Sequence, residues 1–378
     1  MADKKSRQIL RRAKQKNKNG VIVATGCYAE VNRKELDEIK EIDLVVGNSE
    51  KNNIVEIVEN FIKQHKKNEG SLHIEDEKEF ADFGTITYSE KTRAVIKVQD
   101  GCNNFCSYCI IPYARGRIRS RKINSVIEEV KEAVKNGVKE VVITGIHVAS
   151  YGKDFQEDIR LIDLLEEINK IEGLNRIRLG SLEPKLITKE FVDRIKKLGK
   201  ICDHFHLSLQ SGCDETLKRM NRKYTTEEFE EGVELLRKAF PEVALTTDII
   251  VGFPGESEEE FKKTYKFLEK INFCKMHVFP YSPREGTVAA KMEGQIPQKN
   301  KEERSHKLIE LSNKNEKDFL EKFVGKELEV LFEEEEDGYY KGHTSNYMII
   351  KVHGKNLENE IKRIKIEKVD KGELIGKM

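Results

Sequence analysis

The stretch that decides the fold is AVIKVQDGCNNFCSYC, residues 94–109, in which an apolar strand pattern leads directly into a loop with three cysteines. Cys102, Cys106 and Cys109 have the spacing C-x₃-C-x₂-C, and no second cysteine pair follows them. Protein zinc sites usually take four ligands, whereas thiolates in a tight loop also suit an iron–sulfur cluster. The spacing therefore favours a cluster with one open iron. A zinc completed by a distant histidine and a trio of buried structural cysteines are the alternatives.

The same strand opens a series of six βα units. Apolar strand patterns near residues 94, 140, 176, 204, 244 and 275 are each followed by an amphipathic helix pattern. In the first helix, Ser125 and Glu128 have the spacing of a capping box. Right-handed crossovers would close the six units into a partial TIM-like (β/α)6 barrel. The cysteine loop then lies at the carboxyl end of the first strand, where such barrels carry their active sites.

The regions on either side of the repeat have different patterns. Residues 1–65 show two strands among helices, which looks like the back half of an α/β domain. Residues 66–90 are polar without periodicity and indicate a linker. Residues 323–378 contain short strand patterns separated by turns, which indicate a small all-β module. The predicted strands are ELEVLFEE, GYYKGHTS, NYMIIKVHG and IKRIKIEKV. The predicted fold class is therefore α/β, with a barrel over residues 91–322 and a terminal all-β module.

Composition narrows the class of protein further. The chain of 378 residues has no apolar run long enough for a membrane span, and its basic first 18 residues lack the apolar core of a signal peptide. Seven cysteines without such a signal predict reduced thiols in the cytoplasm. The net charge is only +1, but basic residues concentrate in two strips, residues 4–18 and 115–122. These strips suggest an anionic partner; a solvated helix face is the alternative for the first.

Several stretches together resemble a known enzyme family. The cysteine loop, with Tyr108 before its last cysteine, resembles the signature of radical S-adenosylmethionine (SAM) enzymes. Six further stretches agree: ATGCYAE, ITGIHVASYG, LGSLEP, LSLQSGCDETLKRMNRKY, TDIIVGFPGE and FPYSPREGT. With a C-terminal module similar to the RNA-binding TRAM domain, they resemble the methylthiotransferase family along essentially the whole chain. The most similar branch modifies threonylcarbamoyladenosine beside the tRNA anticodon.

The resemblance implies a reaction and its cofactors. A [4Fe–4S] cluster on Cys102, Cys106 and Cys109 would bind SAM at its open iron and cleave it to a 5′-deoxyadenosyl radical. The family replaces the C–H at carbon 2 of N6-threonylcarbamoyladenosine-37 in tRNA with a methylthio group. The implied partners are the tRNA anticodon stem-loop and an unidentified reductant protein.

The resemblance also implies a second, auxiliary [4Fe–4S] cluster held by three cysteines of the amino-terminal domain. Cys27 in ATGCYAE corresponds to the last of the three, and the first two correspond to positions before Met1. One cysteine alone does not hold a cubane. The expectation is therefore that this chain is truncated, and that it binds the loop cluster and cleaves SAM but does not insert sulfur.

Further roles are implied at the ends of the barrel strands. Tyr108 would border the adenine of SAM, with simple packing as the alternative. Gly145 would lie near the methionine amino group, or is only a turn glycine. Glu183, Gln210 and Asp248, expected at strand carboxyl ends, would orient ribose or carboxylate groups, or only satisfy hydrogen bonds there.

Substrate contacts are implied by residues outside the cysteine loop. Arg284 would contact the anionic substrate or hold its own loop. In the all-β module, Tyr340, Lys341 and Arg363 would contact RNA, although aromatic residues there also suit a barrel core. His206 is expected to pack or to hydrogen-bond rather than to bind a metal.

Three other functions stay open. Two are methylthiotransferases with another substrate, either isopentenyladenosine in tRNA or an aspartate of a ribosomal protein. The third is a non-catalytic, metal-stabilised RNA-binding protein whose barrel serves only as a scaffold. Formation of deoxyadenosine from SAM separates the enzymes from the scaffold.

Overall fold

The computed structural model of the chain describes residues 2–64, 74, 77–82, 84 and 92–378. The chain divides into two compact units. The first comprises Met1–Phe83, Asp100–Phe105 and Cys109–Arg119, and the second comprises Gly84–Gln99, Cys106–Tyr108 and Ser120–Met378. Most of the predicted linker, residues 66–90, lies outside the described residues. The domain boundaries stay a prediction.

The first unit contains the α/β alternation that its sequence predicts. Its elements are α1 (Ala2–Lys16), β1 (Val23–Thr25), α2 (Cys27–Val31), α3 (Arg33–Asp37), β2 (Leu44–Val46), α4 (Ile54–Gln64) and α5 (Ile111–Arg115). β1 and β2 pair in parallel, with Val23 opposite Leu44, because the intervening α2 and α3 form a crossover between them. Leu36 and Val45 are buried in the small core of this unit.

The first basic strip lies on α1 and is partly used within the unit. Lys14 Nζ lies 2.8 Å from Asp43 Oδ2, and Arg7 donates a hydrogen bond of 2.6 Å to the Tyr28 hydroxyl. Lys4, Lys5 and Arg12 are exposed. The strip is therefore partly an internal anchor of α1 and partly a solvated helix face.

The second unit contains an arc of six parallel strands. The six strands are β3 (Arg93–Asp100), β5 (Glu140–Gly145), β6 (Arg176–Leu179), β7 (His204–His206), β8 (Ala244–Val251) and β9 (Lys275–Pro280). A short strand, β4 (Arg119–Ser120), follows β3 along the chain. β3, β5 and β6 pair in parallel, and so do β7, β8 and β9. Parallel bridges from Ile177 to Ile201 and from Leu182 to Leu207 join the two sets. The predicted partial (β/α)6 barrel is confirmed.

Helices cover the outer face of this arc. They are α6 (Ile123–Lys135), α7 (Leu161–Asn169), α8 (Lys189–Ile195), α9 (Asp214–Arg219), α10 (Thr226–Ala239), α11 (Glu258–Ile271) and α12 (Gln298–Glu321). The strands contribute residues such as Ile96 and Phe205 to one continuous core with these helices. The predicted capping box of the first helix is wrong, because α6 begins after Lys122 without a side-chain cap. Ser125 instead accepts a hydrogen bond from Arg121 Nε.

A closed five-stranded barrel ends the second unit. Its strands are β10 (Glu327–Glu336), β11 (Tyr339–Thr344), β12 (Ile349–His353), β13 (Ile361–Asp370) and β14 (Glu373–Lys377), in the order β10-β11-β12-β14-β13. The first four match the predicted strands, whereas β14 was missed. β14 closes the barrel by pairing in parallel with β12 and antiparallel with β13.

Two buried arginines fix this module to the amino-terminal ends of the arc strands. Arg178 Nε lies 2.7 Å from Glu140 Oε1, and its Nη1 donates to the Ser345 carbonyl at 2.9 Å. Arg176 Nη1 donates to the His343 carbonyl at 2.8 Å. The carboxyl ends of the strands, on the opposite side of the arc, are therefore left for the candidate site.

Candidate functional site

In the first unit, the cysteine loop opens with a tightly folded backbone. Gly101 has φ +71°, and a Cβ on it would lie 1.7 Å from the Arg117 carbonyl oxygen. The backbone N–H of Cys102 donates to the Gly116 carbonyl at 3.1 Å. Because L side chains disfavour this conformation and have no room here, position 101 requires glycine.

We expect Gly101→Ala to destabilise the chain by at least about 2 kcal/mol, since it combines left-handed strain with a collision against backbone. Gly325→Ala is the matched control, because Gly325 has φ +85° and open space around its Cβ position. That control carries the strain alone, which costs about 1 kcal/mol. Urea unfolding measures both variants. Equal losses would show that the collision at residue 101 is relieved by movement of the loop.

The thiols of the loop have the chemistry of iron–sulfur ligands. The seven cysteines all lie within the described residues, and none forms a disulfide. The Asn104 backbone N–H donates to Cys102 Sγ at 3.5 Å, and Arg222 Nη1 donates to Cys106 Sγ at 3.4 Å. Such donors stabilise thiolates. The donor set therefore fits a cluster held by three cysteines, which is the ligand count that the spacing predicts.

Within the described part of the chain, no three His, Cys, Asp or Glu side chains form a preformed metal site. Metal sites commonly close only when the metal binds. The fit to an iron–sulfur cluster therefore rests on the reduced thiols and their hydrogen-bond donors.

Cys27 lies elsewhere in the first unit, at the beginning of α2. Arg115 Nε donates to Cys27 Sγ at 3.2 Å, and Arg115 Nη1 lies 3.6 Å from Asp100 Oδ2. α5 therefore brings a guanidinium hydrogen-bond donor to the Cys27 sulfur.

The second basic strip is partly buried. Arg119 and Arg121 are buried; Arg119 Nη2 lies 3.9 Å from Asp100 Oδ2, and Arg121 pairs with Glu129. Internal carboxylates therefore take up part of the charge of this strip, whereas Arg117 and Lys122 are exposed. The expectation of an anionic partner at this strip stays a prediction.

Arg222 is a candidate site residue that sequence reasoning missed. Its side chain is only 8% exposed, and its Nη2 lies 3.9 Å from Glu183 Oε1. The same Nη2 donates to the Ser208 carbonyl, and Nη1 donates to Cys106 Sγ. Glu183 also lies 2.9 Å from His147 Nε2. Burial raises the pKa of Glu183, but the His147 hydrogen bond and the Arg222 charge bring it below its usual value. The available signal was one of two adjacent basic residues in MNRKY, which a single sequence does not distinguish from surface charge.

Gly145 and Tyr108 both make close contacts within the second unit. Gly145 ends β5 opposite Gln99, and a Cβ on it would lie 2.8 Å from the Gln99 carbonyl oxygen without any left-handed φ. It is therefore required for close strand approach, and the turn alternative is wrong. Tyr108 packs edge-on to Phe253, with ring centroids 6.4 Å apart, so packing accounts for at least part of its role.

Gln210 and Asp248 are brought together on neighbouring strand segments. The Gln210 backbone N–H donates to the Asp248 carbonyl at 2.9 Å. Gln210 has φ +71°, a strained conformation that often marks a functional residue. Asp248 lies in the middle of β8, so its expected position at the strand end is wrong. Its carboxylate lies 3.2 Å from His206 Nε2.

The predicted substrate contacts have different surroundings. Arg284 is exposed. Its backbone carbonyl accepts a hydrogen bond of 2.7 Å from Thr287 Oγ1, which holds the loop. Tyr340 is buried in the core of the all-β module, so its predicted RNA contact is wrong. Lys341 pairs with Glu336, and Arg363 is exposed on β13.

A parallel half-barrel whose first strand runs into a three-cysteine loop defines the class of radical SAM enzymes. Consistent with this class, residues 96–268 match the family model described as the Radical SAM superfamily. A cobalamin-dependent SAM radical enzyme, OxsB, has the same fold, with a TM-score of 0.50 and 14% identity over 82% of this chain and 46% of that one.

Curated relatives place the chain more narrowly. It is 41% identical to threonylcarbamoyladenosine tRNA methylthiotransferase MtaB of Bacillus subtilis, over 97% of this chain and 82% of the relative. The Aquifex aeolicus MtaB is 44% identical, over 96% and 87%. The tRNA-2-methylthio-N(6)-dimethylallyladenosine synthase of Clostridium novyi is 36% identical, over 98% and 83%. The chain belongs to the methylthiotransferase family of radical SAM enzymes.

None of the described helices has both the length and the apolar character that crossing a membrane requires.

Proposed function

We propose that the chain methylthiolates carbon 2 of N6-threonylcarbamoyladenosine at position 37 of tRNA, in the cytoplasm. The observation that carries this proposal is the 41–44% identity, along 96–97% of the chain, to two MtaB enzymes that act on this nucleoside by name. The Clostridium novyi relative, at 36% identity, supports dimethylallyladenosine in tRNA as the second candidate substrate.

Cys102, Cys106 and Cys109 would hold the radical SAM cluster. When bound, the cluster supplies the electron for reductive cleavage of SAM. Arg222 donates to Cys106 Sγ and is itself buried beside Glu183. Its fixed positive charge helps to keep the neighbouring Glu183 carboxylate ionised.

Residues of the barrel would orient SAM. Glu183, kept ionised by His147 and Arg222, suits hydrogen bonds from hydroxyl or ammonium groups. Gln210 and Asp248 add an amide and a second carboxylate on adjacent strand segments. Gly145 leaves the end of β5 without a side chain, so that a ligand can approach its backbone closely.

The remaining parts of the chain would serve the tRNA and a second cluster. We assign the five-stranded barrel to an RNA-binding TRAM domain, in which exposed Arg363 and partly exposed Lys341 contact the anticodon stem-loop. We assign residues 1–65 to the methylthiotransferase amino-terminal domain and Cys27 to its auxiliary cluster. The reductant protein stays a prediction.

Nucleosides from a strain lacking the gene test the proposal. We expect tRNA from this strain to lose the 2-methylthio form of threonylcarbamoyladenosine and to accumulate threonylcarbamoyladenosine itself, because the enzyme adds only the methylthio group. Liquid chromatography with mass spectrometry measures both nucleosides. Dimethylallyladenosine derivatives serve as the internal control: their loss instead would favour the second candidate. Unchanged profiles of both nucleosides would reject both tRNA substrates.

A further inference from the structure

Four polar side chains form a continuous chain on the inner face of β7 and β8. Thr246 Oγ1 lies 2.9 Å from His206 Nδ1 and 3.2 Å from His204 Nε2. His206 Nε2 in turn lies 3.2 Å from Asp248 Oδ2. The side chains of Phe205 and Ile249 point to the opposite, helix-packed face. This hydrogen-bonded chain of side chains therefore runs from Asp248, through His206 and Thr246, to His204.

In this hydrogen-bonded chain, the chemistry of the four side chains determines which atom donates and which accepts at each step. An ionised carboxylate only accepts hydrogen bonds, so Asp248 favours the proton of His206 on Nε2. His206 Nδ1 is then an acceptor, and the single hydroxyl proton of Thr246 points to it. Thr246 Oγ1 must consequently accept from His204 Nε2–H. With its proton on Nε2, His204 carries no proton on Nδ1. That buried nitrogen has no hydrogen-bond partner within the described residues.

The surroundings of His204 keep this end of the chain neutral. Burial lowers the pKa of His204 to about 3, and the charge of Arg178 acts in the same direction, as do the imidazoles of His206, His277 and His343. The Tyr347 ring of the all-β module lies against His204, with centroids 5.1 Å apart. A neutral imidazole that carries its proton on Nε2 supplies Thr246 with the same donor throughout the physiological pH range.

We propose that His204 and Thr246 are positioning residues, which hold Asp248 through His206 in the orientation that binds SAM. The inference rests on the proposed function, in which Asp248 contacts SAM. Asp248 Oδ2 is engaged by His206, so Oδ1 is the oxygen left for the cofactor. Without the Thr246 hydroxyl, His206 loses the donor that holds its tautomer, and Asp248 loses its fixed partner. Outer partners of a ligand-binding side chain commonly act in this way.

Two substitutions of Thr246 test this hydrogen-bonded chain. Thr246→Val removes the hydroxyl at nearly constant volume, and Thr246→Ser keeps it. ¹⁵N NMR of the full chain reports the His206 tautomer, independently of activity. We expect the Nε2–H tautomer in the unaltered chain and in Thr246→Ser, and a mixture of tautomers in Thr246→Val. The KM for SAM in deoxyadenosine formation should rise about tenfold in Thr246→Val, with kcat little changed.

A second pair of variants keeps the test valid if Thr246→Val does not fold. His204→Gln keeps an N–H donor for Thr246 and should preserve the His206 tautomer, whereas His204→Leu should not. An unchanged tautomer and an unchanged KM in both Thr246→Val and His204→Leu would overturn the positioning role. Failure of the unaltered protein to cleave SAM would instead overturn the proposed function. The tautomer measurement would still show which groups donate and which accept between Asp248 and His204.

Discussion

Cys106→Ala is expected to lower the iron content by about four atoms per chain and to abolish deoxyadenosine formation from SAM. A cubane bound at one open iron depends on all three thiolates of the loop, and two do not retain it. The substituted side chain is only partly buried, so the fold should survive. Iron analysis after anaerobic reconstitution and chromatography of the nucleoside product measure the two effects.

Cys274→Ala is the matched control for this experiment. Burial raises the pKa of the Cys274 thiol to about 12, so it stays protonated and is unsuited to bind iron. Its substitution should leave both iron content and deoxyadenosine formation unchanged. Retention of iron in Cys106→Ala would exclude the loop as the cluster site. Zinc in place of iron in the unaltered chain would support the non-catalytic, metal-stabilised alternative.

Arg178→Met is expected to destabilise the second unit by about 3 kcal/mol, because it leaves the Glu140 carboxylate buried without its closest charged partner. Arg178 Nε and Nη2 bond the two Glu140 oxygens at 2.7 and 3.1 Å, and Glu140 is fully buried. The same guanidinium also bonds the Thr344 and Ser345 carbonyls. Chemical unfolding should therefore show the all-β module released earlier than in the unaltered chain.

Arg194→Met provides the comparison at the surface. Arg194 bonds two carboxylates, Asp163 and Glu166, yet its side chain is 31% exposed. Exposed ion pairs contribute no more than about 1 kcal/mol, because water solvates the partners equally well after the change. The double variant Arg178→Met/Glu140→Leu should recover part of the loss, since no buried charge remains unpaired. Equal destabilisation by Arg178→Met and Arg194→Met would contradict the burial argument.

The barrel could be predicted because its determinants are local and repeated. The apolar spacing within about a dozen residues predicts each strand and each helix. Six consecutive βα units can then connect in only a few topologies. β14 was missed because ELIGK is short and has only two apolar side chains in a charged tail. The capping box at Ser125 was wrong because a side-chain spacing does not reveal where a helix begins; α6 starts two residues before that serine.

The charges were harder to interpret than the strands. Arg119 and Arg121 look like part of an exposed basic strip in the sequence, but Asp100 and Glu129 face them inside the fold. Tyr340 likewise has the same sequence neighbours whether it lies in the core or on the surface; the barrel buries it. Which charge meets which carboxylate depends on chain segments that come together only on folding.

The sequence by itself determined the six-unit barrel, the three-cysteine loop at its first strand and the family to which the chain belongs. All of these depend on residues close to one another along the chain, where spacing limits geometry directly. Only the tertiary structure decided that Arg222 reaches Cys106, which is 116 residues away, and that Thr246 joins His204 to His206 across neighbouring strands. Such contacts arise from the packing of distant segments, and no local spacing encodes them.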